Sequence, residues 1–375
     1  MLASLSNGRP EVTTTRFLLD VAGLNALLTT LRREGYLLIG PRVAGNAITY
    51  QPIDSVDDLP RGWTATQAPG SYRLARRADA AAFAYGPAFD SLKRYLLPPS
   101  EVLWQAHRER GTLTFKPAAY DAPRIAFIGI RPCELEAIAR LDRVFLQGDY
   151  ADPAYGARRA AMFFVAANCV EPAGTCFCAS MNSGPRALSR FDLALTEING
   201  VFVAEAGTLR GERAVATLGC AEASQELCDK ADGALAAAEM HFRRTVETES
   251  LAGDLTAWRE HPHWDDVGAR CLACGNCTMV CPTCFCHTVE DTSDLSGRQM
   301  ERRRRWDSCF TGDFSYIHGG SIRPTVRARY RQWVSHKFSA WVEQFGTQGC
   351  VGCGRCITWC PVGIDVTEEL AHLKG

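Results

Sequence analysis

The chain has no apolar run approaching the length of a membrane span. Its N-terminus (MLASLSNGRPEVTTTRF) has no apolar core of the kind found in a secretory leader. Both absences lead us to expect a soluble protein of the reducing cytoplasm. There is no large excess of charge of either sign, since the formal net charge is −1. Nothing global therefore favours nucleic acid or a membrane surface. No G-x-G-x-x-G follows a strand-like segment, and there is no P-loop, so the chain has no dinucleotide or nucleoside triphosphate fingerprint of its own. No pair of C-x-x-C motifs suits nickel–iron ligation. Cysteine, by contrast, is abundant, with 17 among 375 residues. The number is odd, and much of the spacing is that of metal ligands rather than of disulfides.

Eight of the cysteines form two copies of one run. They are Cys271-x-x-Cys274-x-x-Cys277-x-x-x-Cys281-Pro282 and Cys350-x-x-Cys353-x-x-Cys356-x-x-x-Cys360-Pro361. A [4Fe–4S] cubane takes four thiolates, of which a short turn supplies three. In two-cluster ferredoxins the fourth cysteine of each run crosses to the other cluster. That logic gives one cluster Cys271, Cys274, Cys277 and Cys360, and the other Cys350, Cys353, Cys356 and Cys281. Such a chain moves single electrons. Gly275 and Gly354 occupy the same place in each run, where the backbone is expected to pass close to a cluster. Zinc, the alternative, usually takes two C-x-x-C pairs across a long spacer. That reading describes a zinc-stabilised binding protein.

The length allows two or three domains, and we expect two. Residues 1–255 read as an α/β (or α+β) domain. Leu18–Leu31 has helical periodicity, Tyr36–Ile39, Arg124–Ile130 and Ala161–Ala167 read as strands, and Phe191–Thr196 with Val201–Ala204 reads as a strand pair. A long helix is expected over Ala221–Glu247. Residues 256–375 are expected to be a mostly helical two-cluster domain, because 68 residues separate Cys281 from Cys350, too many for a minimal ferredoxin hairpin. This half resembles the α-helical ferredoxin domain of fumarate reductases and heterodisulfide reductases. Within it, Pro324 is placed to start a helix. Val326, Tyr330, Trp333, Val334, Phe338, Trp341, Val342 and Phe345 then share one face, and Gly346 stops it. Residues 298–337 are arginine-rich, with Arg298, Arg302–Arg305, Arg323, Arg327, Arg329, Arg331 and Lys337. This segment reads either as a solvated helix face or as cationic surroundings that favour cluster reduction and dock an acidic partner.

Nine cysteines lie outside the runs. Cys133 follows Pro132 in the first turn of a helix, where the helix N-terminus favours a thiolate. Cys169, Cys176 and Cys178 follow the next strand in irregular, Gly/Pro-bearing chain. Both groups fall just after strands, so Cys133, Cys169, Cys176 and Cys178 are candidates for a third [4Fe–4S] cluster at one sheet edge. Cys284, Cys286 and Cys309 are expected as buried thiols near a cluster, Cys228 as core, and Cys220 has no reading. His261, His263 and His318 are expected to be structural or exposed.

These motifs together resemble one family, which includes the β (iron–sulfur) subunits of cytoplasmic NAD(P)-linked [NiFe] hydrogenases of the sulfhydrogenase type and the A subunit of anaerobic sulfite reductase. The matching residues are Arg131-Pro132-Cys133, Asn168-Cys169, Thr175-Cys176-Phe177-Cys178, Cys281-Pro282-Thr283-Cys284-Phe285-Cys286, Trp306-Asp307-Ser308-Cys309 and the Gly349–Asp365 segment. The sequence departs at His318-Gly319-Gly320-Ser321, where relatives tend to run Gly-Gly-His-Asn. The resemblance implies a non-catalytic subunit of an oxidoreductase complex. It would carry electrons between a partner subunit bearing FAD and NAD(P) and the small and large [NiFe] hydrogenase subunits, or the catalytic subunit of a sulfite reductase. It implies no nucleic acid and no membrane.

Overall fold

The structure, a computed structural model, describes residues 15–374. The leader question therefore falls almost wholly outside the described residues. Within them, no helix is long and apolar enough to cross a membrane.

The longer strands in chain order are β1 (Arg16–Leu19), β2 (Leu37–Ala44), β3 (Ala47–Pro52), β4 (Trp63–Ala68), β5 (Ser71–Arg76), β6 (Ser100–Glu109), β7 (Thr112–Pro117), β8 (Ile125–Ile130), β9 (Met162–Ala167), β10 (Leu193–Ile198), β11 (Val201–Ala206), β12 (His287–Ser293) and β13 (Gln299–Trp306). Seven of them form one sheet in the order β1-β11-β10-β9-β8-β2-β3. Its centre, β10-β9-β8-β2, is parallel, and its edges are antiparallel. Every residue of β8 and β9 is buried. Continuous apolar runs such as IAFIGI and MFFVAA are what a sheet covered on both faces requires. Asp20 caps the helix Val21–Arg33 by accepting from Gly23 N at 2.7 Å. That cap ends the periodic segment's first residues as β1 rather than as helix. The helix expected over Ala221–Glu247 is shorter, Gln225–Met240, because Ser224 caps it.

The C-terminal half is not mostly helical. Residues His287–Trp306 fold back as the β12–β13 hairpin, and β13 pairs with β6 to give a four-stranded antiparallel sheet in the order β12-β13-β6-β7. The arginine run lies on β13, a strand rather than a helix face. Arg302 meets Asp291 at 2.6 Å, Arg303 meets Glu301 at 2.8 Å, and Arg305 meets Glu290 at 3.3 Å. Arg304 meets both Glu101 at 2.5 Å and Asp152 at 2.6 Å. These four cations are neutralised within the fold, which removes their charge as a docking surface.

The expected apolar helix forms with one irregularity. Val326–Ser335 is α-helical, His336–Ala340 is a π-turn, and Trp341–Phe345 is α-helical again, closed by left-handed Gly346. Its N-cap is Thr325, which accepts from Ala328 N. Tyr330, Trp333, Val334, Phe338 and Trp341 are buried, as the periodicity implied.

The second cysteine run docks onto the large sheet through Arg355. Its side chain, 1% exposed, donates to Ala88 O at 2.8 Å, Asp90 O at 2.9 Å and Glu134 Oε1 at 2.9 Å. Tyr50 Oη donates to the same fully buried carboxylate. Gly275 and Gly354 both adopt φ 73°. A Cβ on Gly354 would lie 2.5 Å from Thr175 O, and one on Gly275 would lie 2.9 Å from Ser308 Oγ. Glycine is thus required by backbone conformation and by neighbouring chain.

Removing one partner of a buried ion pair leaves the other charge uncompensated, at a cost of about 3–5 kcal/mol. Arg355→Met should therefore lower the thermal unfolding midpoint of the holoprotein markedly, and the double variant with Glu134→Gln should recover part of the loss. An unchanged midpoint in Arg355→Met would contradict this account of the docking.

Candidate metal centres

Two apolar cavities lie inside the C-terminal half. Cys271, Cys274, Cys277 and Cys360 line the first, with Cys356 at its inner edge and Phe310, Tyr330, Trp333, Ile364 and Val366 around it. Cys281, Cys350, Cys353 and Cys356 line the second, with Phe177, Trp333, Lys337 and Phe338. The last cysteine of each run therefore faces the other run's cavity. Trp333 borders both. The first cavity reaches the surface, where Cys274 is exposed, and Cys281 and Cys353 in the second are buried.

Local backbone explains the placement. Gly275 and Gly354 open the short helices Asn276–Met279 and Arg355–Thr358, which carry Cys277 and Cys356. Backbone N–H groups point at sulfur: Ala273 N to Cys271 Sγ at 3.4 Å, Gly352 N to Cys350 Sγ at 3.3 Å, and Ile364 N to Cys360 Sγ at 3.3 Å. Two buried donors, Tyr330 Oη and Trp333 Nε1, have no partner among the described residues, and both side chains line the cavities. An orphaned buried donor is costly, and sulfur acceptors of a cluster would satisfy these two. Burial pushes the thiols of Cys277, Cys353 and Cys356 up, and that of Cys350 to about 12. Such sulfurs hold negative charge only beside a metal cation. Orphan donors, N–H···S contacts and buried thiols together fit iron–sulfur clusters.

A third cysteine group adjoins the second cavity. Cys133, in the first turn of helix Pro132–Phe145, packs with Cys178, Val351 and Cys353. Cys176 Sγ points at Cys353 O at 3.7 Å, and Cys169 lies near enough to raise the Cys178 thiol. The two post-strand segments do converge. Burial, reinforced by the neighbouring Cys353, pushes the Cys133 thiol up rather than down as its place at a helix N-terminus would suggest.

Cys284, Cys286 and Cys309 form a further group. Asp307 N donates to Cys286 O at 2.9 Å at the open end of the β12–β13 hairpin, beyond the His287–Trp306 pair, and this brings Cys309 back to Cys286. A hydrogen bond from Cys309, with the Lys337 and Lys93 charges nearby, pulls the Cys286 thiol down to about 7. Cys228 is buried with Val203 and Ala231, as a core residue should be. Cys220 packs partly buried against the main core. His263, Glu369 and His372 place ligand atoms within 4.8 Å of one another, but Arg270 occupies the Glu369 carboxylate at 2.7 and 2.8 Å. His318 is exposed.

The family model for the 4Fe-4S dicluster domain matches residues 270–364, the segment that contributes both cavities. Sulfhydrogenase 2 subunit beta of Pyrococcus furiosus is 27% identical over 347 residues, spanning 89% of this chain and 91% of the relative. The chain is similar over most of its length to a sulfhydrogenase β subunit and carries a 4Fe-4S dicluster domain. No solved structure matches it. The similarity extends well beyond the dicluster domain, so it takes in the large sheet of this chain as well as its cysteine runs. Sequence reasoning named Lys337 only as part of the arginine-rich segment and missed Lys93; both are buried amines beside the cysteines. Lys337 occupies the apolar stripe of its helix, and that position was the available signal.

His336, in the π-turn beside the second cavity, gives a pH-dependent test. Burial, then the Lys337 and Arg323 charges, push its imidazole down to about 4. The folded value lies below the ordinary one of about 6.5, so the folded state resists protonation. The associated stability is present above about pH 6.5 and is lost as pH falls toward 4. Between about pH 7.5 and pH 5 that loss is roughly 2 kcal/mol. In His336→Asn the thermal midpoint should fall correspondingly less on acidification than in the native holoprotein. Equal falls would show that His336 is not the responsible group.

Proposed function

We propose that this chain is the electron relay of a sulfhydrogenase-like complex, passing single electrons between a flavin- and NAD(P)-bearing subunit and the subunits that carry a [NiFe] centre. The observation that carries the reading is the exchange of terminal cysteines. Cys360 lines the cavity of the first run, and Cys281 lines that of the second. The ligand sets are then Cys271, Cys274, Cys277 and Cys360 for one [4Fe–4S] cluster, and Cys350, Cys353, Cys356 and Cys281 for the other. When bound, the clusters supply reversible one-electron chemistry. The chain's residues hold them, donate hydrogen bonds to sulfur, and exclude water with Phe310, Trp333, Phe338 and Val366. The relative's name and its near full-length similarity support hydrogenase partners.

Cys133, Cys169, Cys176 and Cys178 hold a third cluster in this reading. Cys133, Cys176 and Cys178 lie against Cys353, so this group adjoins the buried second cavity, as the second adjoins the exposed first through Trp333. A route of this form enters at Cys274 and leaves near the sheet edge, or runs the opposite way.

Anaerobic purification of the tagged chain from its host, with metal analysis, tests both parts. The expected composition is about twelve irons per chain, with nickel and flavin in co-purifying subunits. Replacing Cys176 and Cys178 by Ala should remove about four of those irons. About eight irons in the native chain would sink the third cluster. Sirohaem without nickel would move the relay to sulfite reduction, and zinc without iron would overturn the reading altogether.

A further inference from the structure

Lys337 is 4% exposed and Lys93 is 3% exposed. Among the described residues, neither forms an ion pair with a carboxylate. Lys337 Nζ lies 3.4 Å from Cys281 Sγ and donates to Thr283 Oγ1 at 2.9 Å. Lys93 Nζ sits 4.1 Å from the centre of the Trp306 ring and donates to Met279 O at 3.2 Å. A buried ammonium without a counter-charge is strongly unfavourable. The sulfurs of Cys281, Cys284 and Cys350 can provide one for Lys337, and those of Cys284, Cys281 and Cys286 for Lys93. The backbone of Lys337 is committed to the same place. It lies in the π-turn, and its carbonyl accepts from Gly349 N at 2.7 Å, one residue before Cys350. One residue therefore touches a sulfur of the first run with its side chain and anchors the start of the second run with its backbone.

Among the described residues no lysine or arginine lines the first cavity; Arg329 reaches only the carbonyl of its wall residue Phe310, at 3.1 Å. The cavity's orphan donors, Tyr330 and Trp333, are neutral. Arg270, the cation preceding Cys271, is half-exposed and held by Glu369 at 2.7 Å.

We infer that Lys337 is a potential-setting residue, which makes the centre at Cys281, Cys350, Cys353 and Cys356 the more easily reduced of the two in the dicluster domain. A four-thiolate cubane is an anion and gains one further negative charge on reduction. A fixed cation at a ligand sulfur, shielded from water, stabilises the reduced state more than the oxidised one. An electron arriving through the exposed first cavity then rests at the buried second one. That bias directs the relay inward and keeps the reducing equivalent away from solvent. Lys337 acts through Cys281 and is not itself a redox group. This inference rests on the ligand assignment proposed above.

The test is a potentiometric titration of the intact complex, followed by electron paramagnetic resonance, for the native protein, Lys337→Met, Lys337→Gln, Lys337→Arg and Cys281→Ser. Lys337→Met should keep its iron and lower the midpoint of one centre alone. At the native midpoint its reduced-to-oxidised ratio should fall about tenfold, equal to about 59 mV for one electron. Lys337→Arg should restore most of the shift, and Lys337→Gln, which keeps an N–H donor without charge, should restore little. Unchanged midpoints in Lys337→Met with full iron would overturn the inference. So would iron loss from both neutral variants but not from Lys337→Arg, which would make the role structural. Cys281→Ser separates the two levels. If it leaves both signals intact, the ligand assignment fails. If it alters or removes one centre while Lys337→Met leaves that midpoint unmoved, only the role of Lys337 fails.

Discussion

A sulfur buried among apolar side chains does not carry charge unless a cation stands beside it, and the C-terminal half of this protein is organised around that constraint. Its two cavities are walled by Phe310, Trp333, Phe338 and Val366, which exclude water, and by cysteines among which Cys277, Cys350, Cys353 and Cys356 have thiols pushed up by burial. Iron supplies the positive charge. Backbone N–H groups and the orphan donors of Tyr330 and Trp333 supply the rest of the sulfur environment. Lys337 and Lys93 belong to the same electrostatic arrangement, since anionic centres explain why two amines are buried without carboxylates. In the absence of those centres the same residues would be a set of unsatisfied groups.

The large sheet serves this arrangement by fixing the outer wall. Arg355, inside the second cysteine run, is anchored to Glu134 at the start of the helix that also carries Cys133. Gly352 and Gly354 let the run lie directly against Phe177 and Thr175, between which Cys176 is held. The third cysteine group and the second cavity are thereby set side by side. The β12–β13 hairpin does comparable work elsewhere. It spends its arginines on internal carboxylates, joins the sheet begun by β6, and returns Cys309 to Cys286. Electron transfer depends on short, fixed separations between centres, and these rigid contacts are what keep separations fixed.

Much of this was legible in the residues. The dicluster domain at residues 270–364 follows from the spacing of its cysteines, because a cubane held by a short turn imposes two-residue gaps. The strands at Ile125–Ile130 and Met162–Ala167 follow from unbroken apolar runs, and the stripe from Tyr330 to Trp341 follows from helical period. Readings went astray where a polar segment had no period of its own. Residues 287–306 became a hairpin because β6 offered an open edge for Gln299–Arg305, a contact between segments nearly two hundred residues apart. Lys337 was grouped with the surface arginines by composition, yet it stands on the buried stripe.

What the sequence alone determined is therefore local chemistry: which cysteines form runs, which segments are strands or helices, and that the chain handles electrons. The reason is that ligand spacing and hydrophobic period are short-range properties. Only the tertiary structure decided which side chains surround each cavity. It brought Cys133, Cys176 and Cys178 to Cys353, paired Arg304 of β13 with Glu101 and Asp152 from distant segments, and buried one lysine against Cys281. Those outcomes depend on packing between distant segments and on the desolvation that packing imposes.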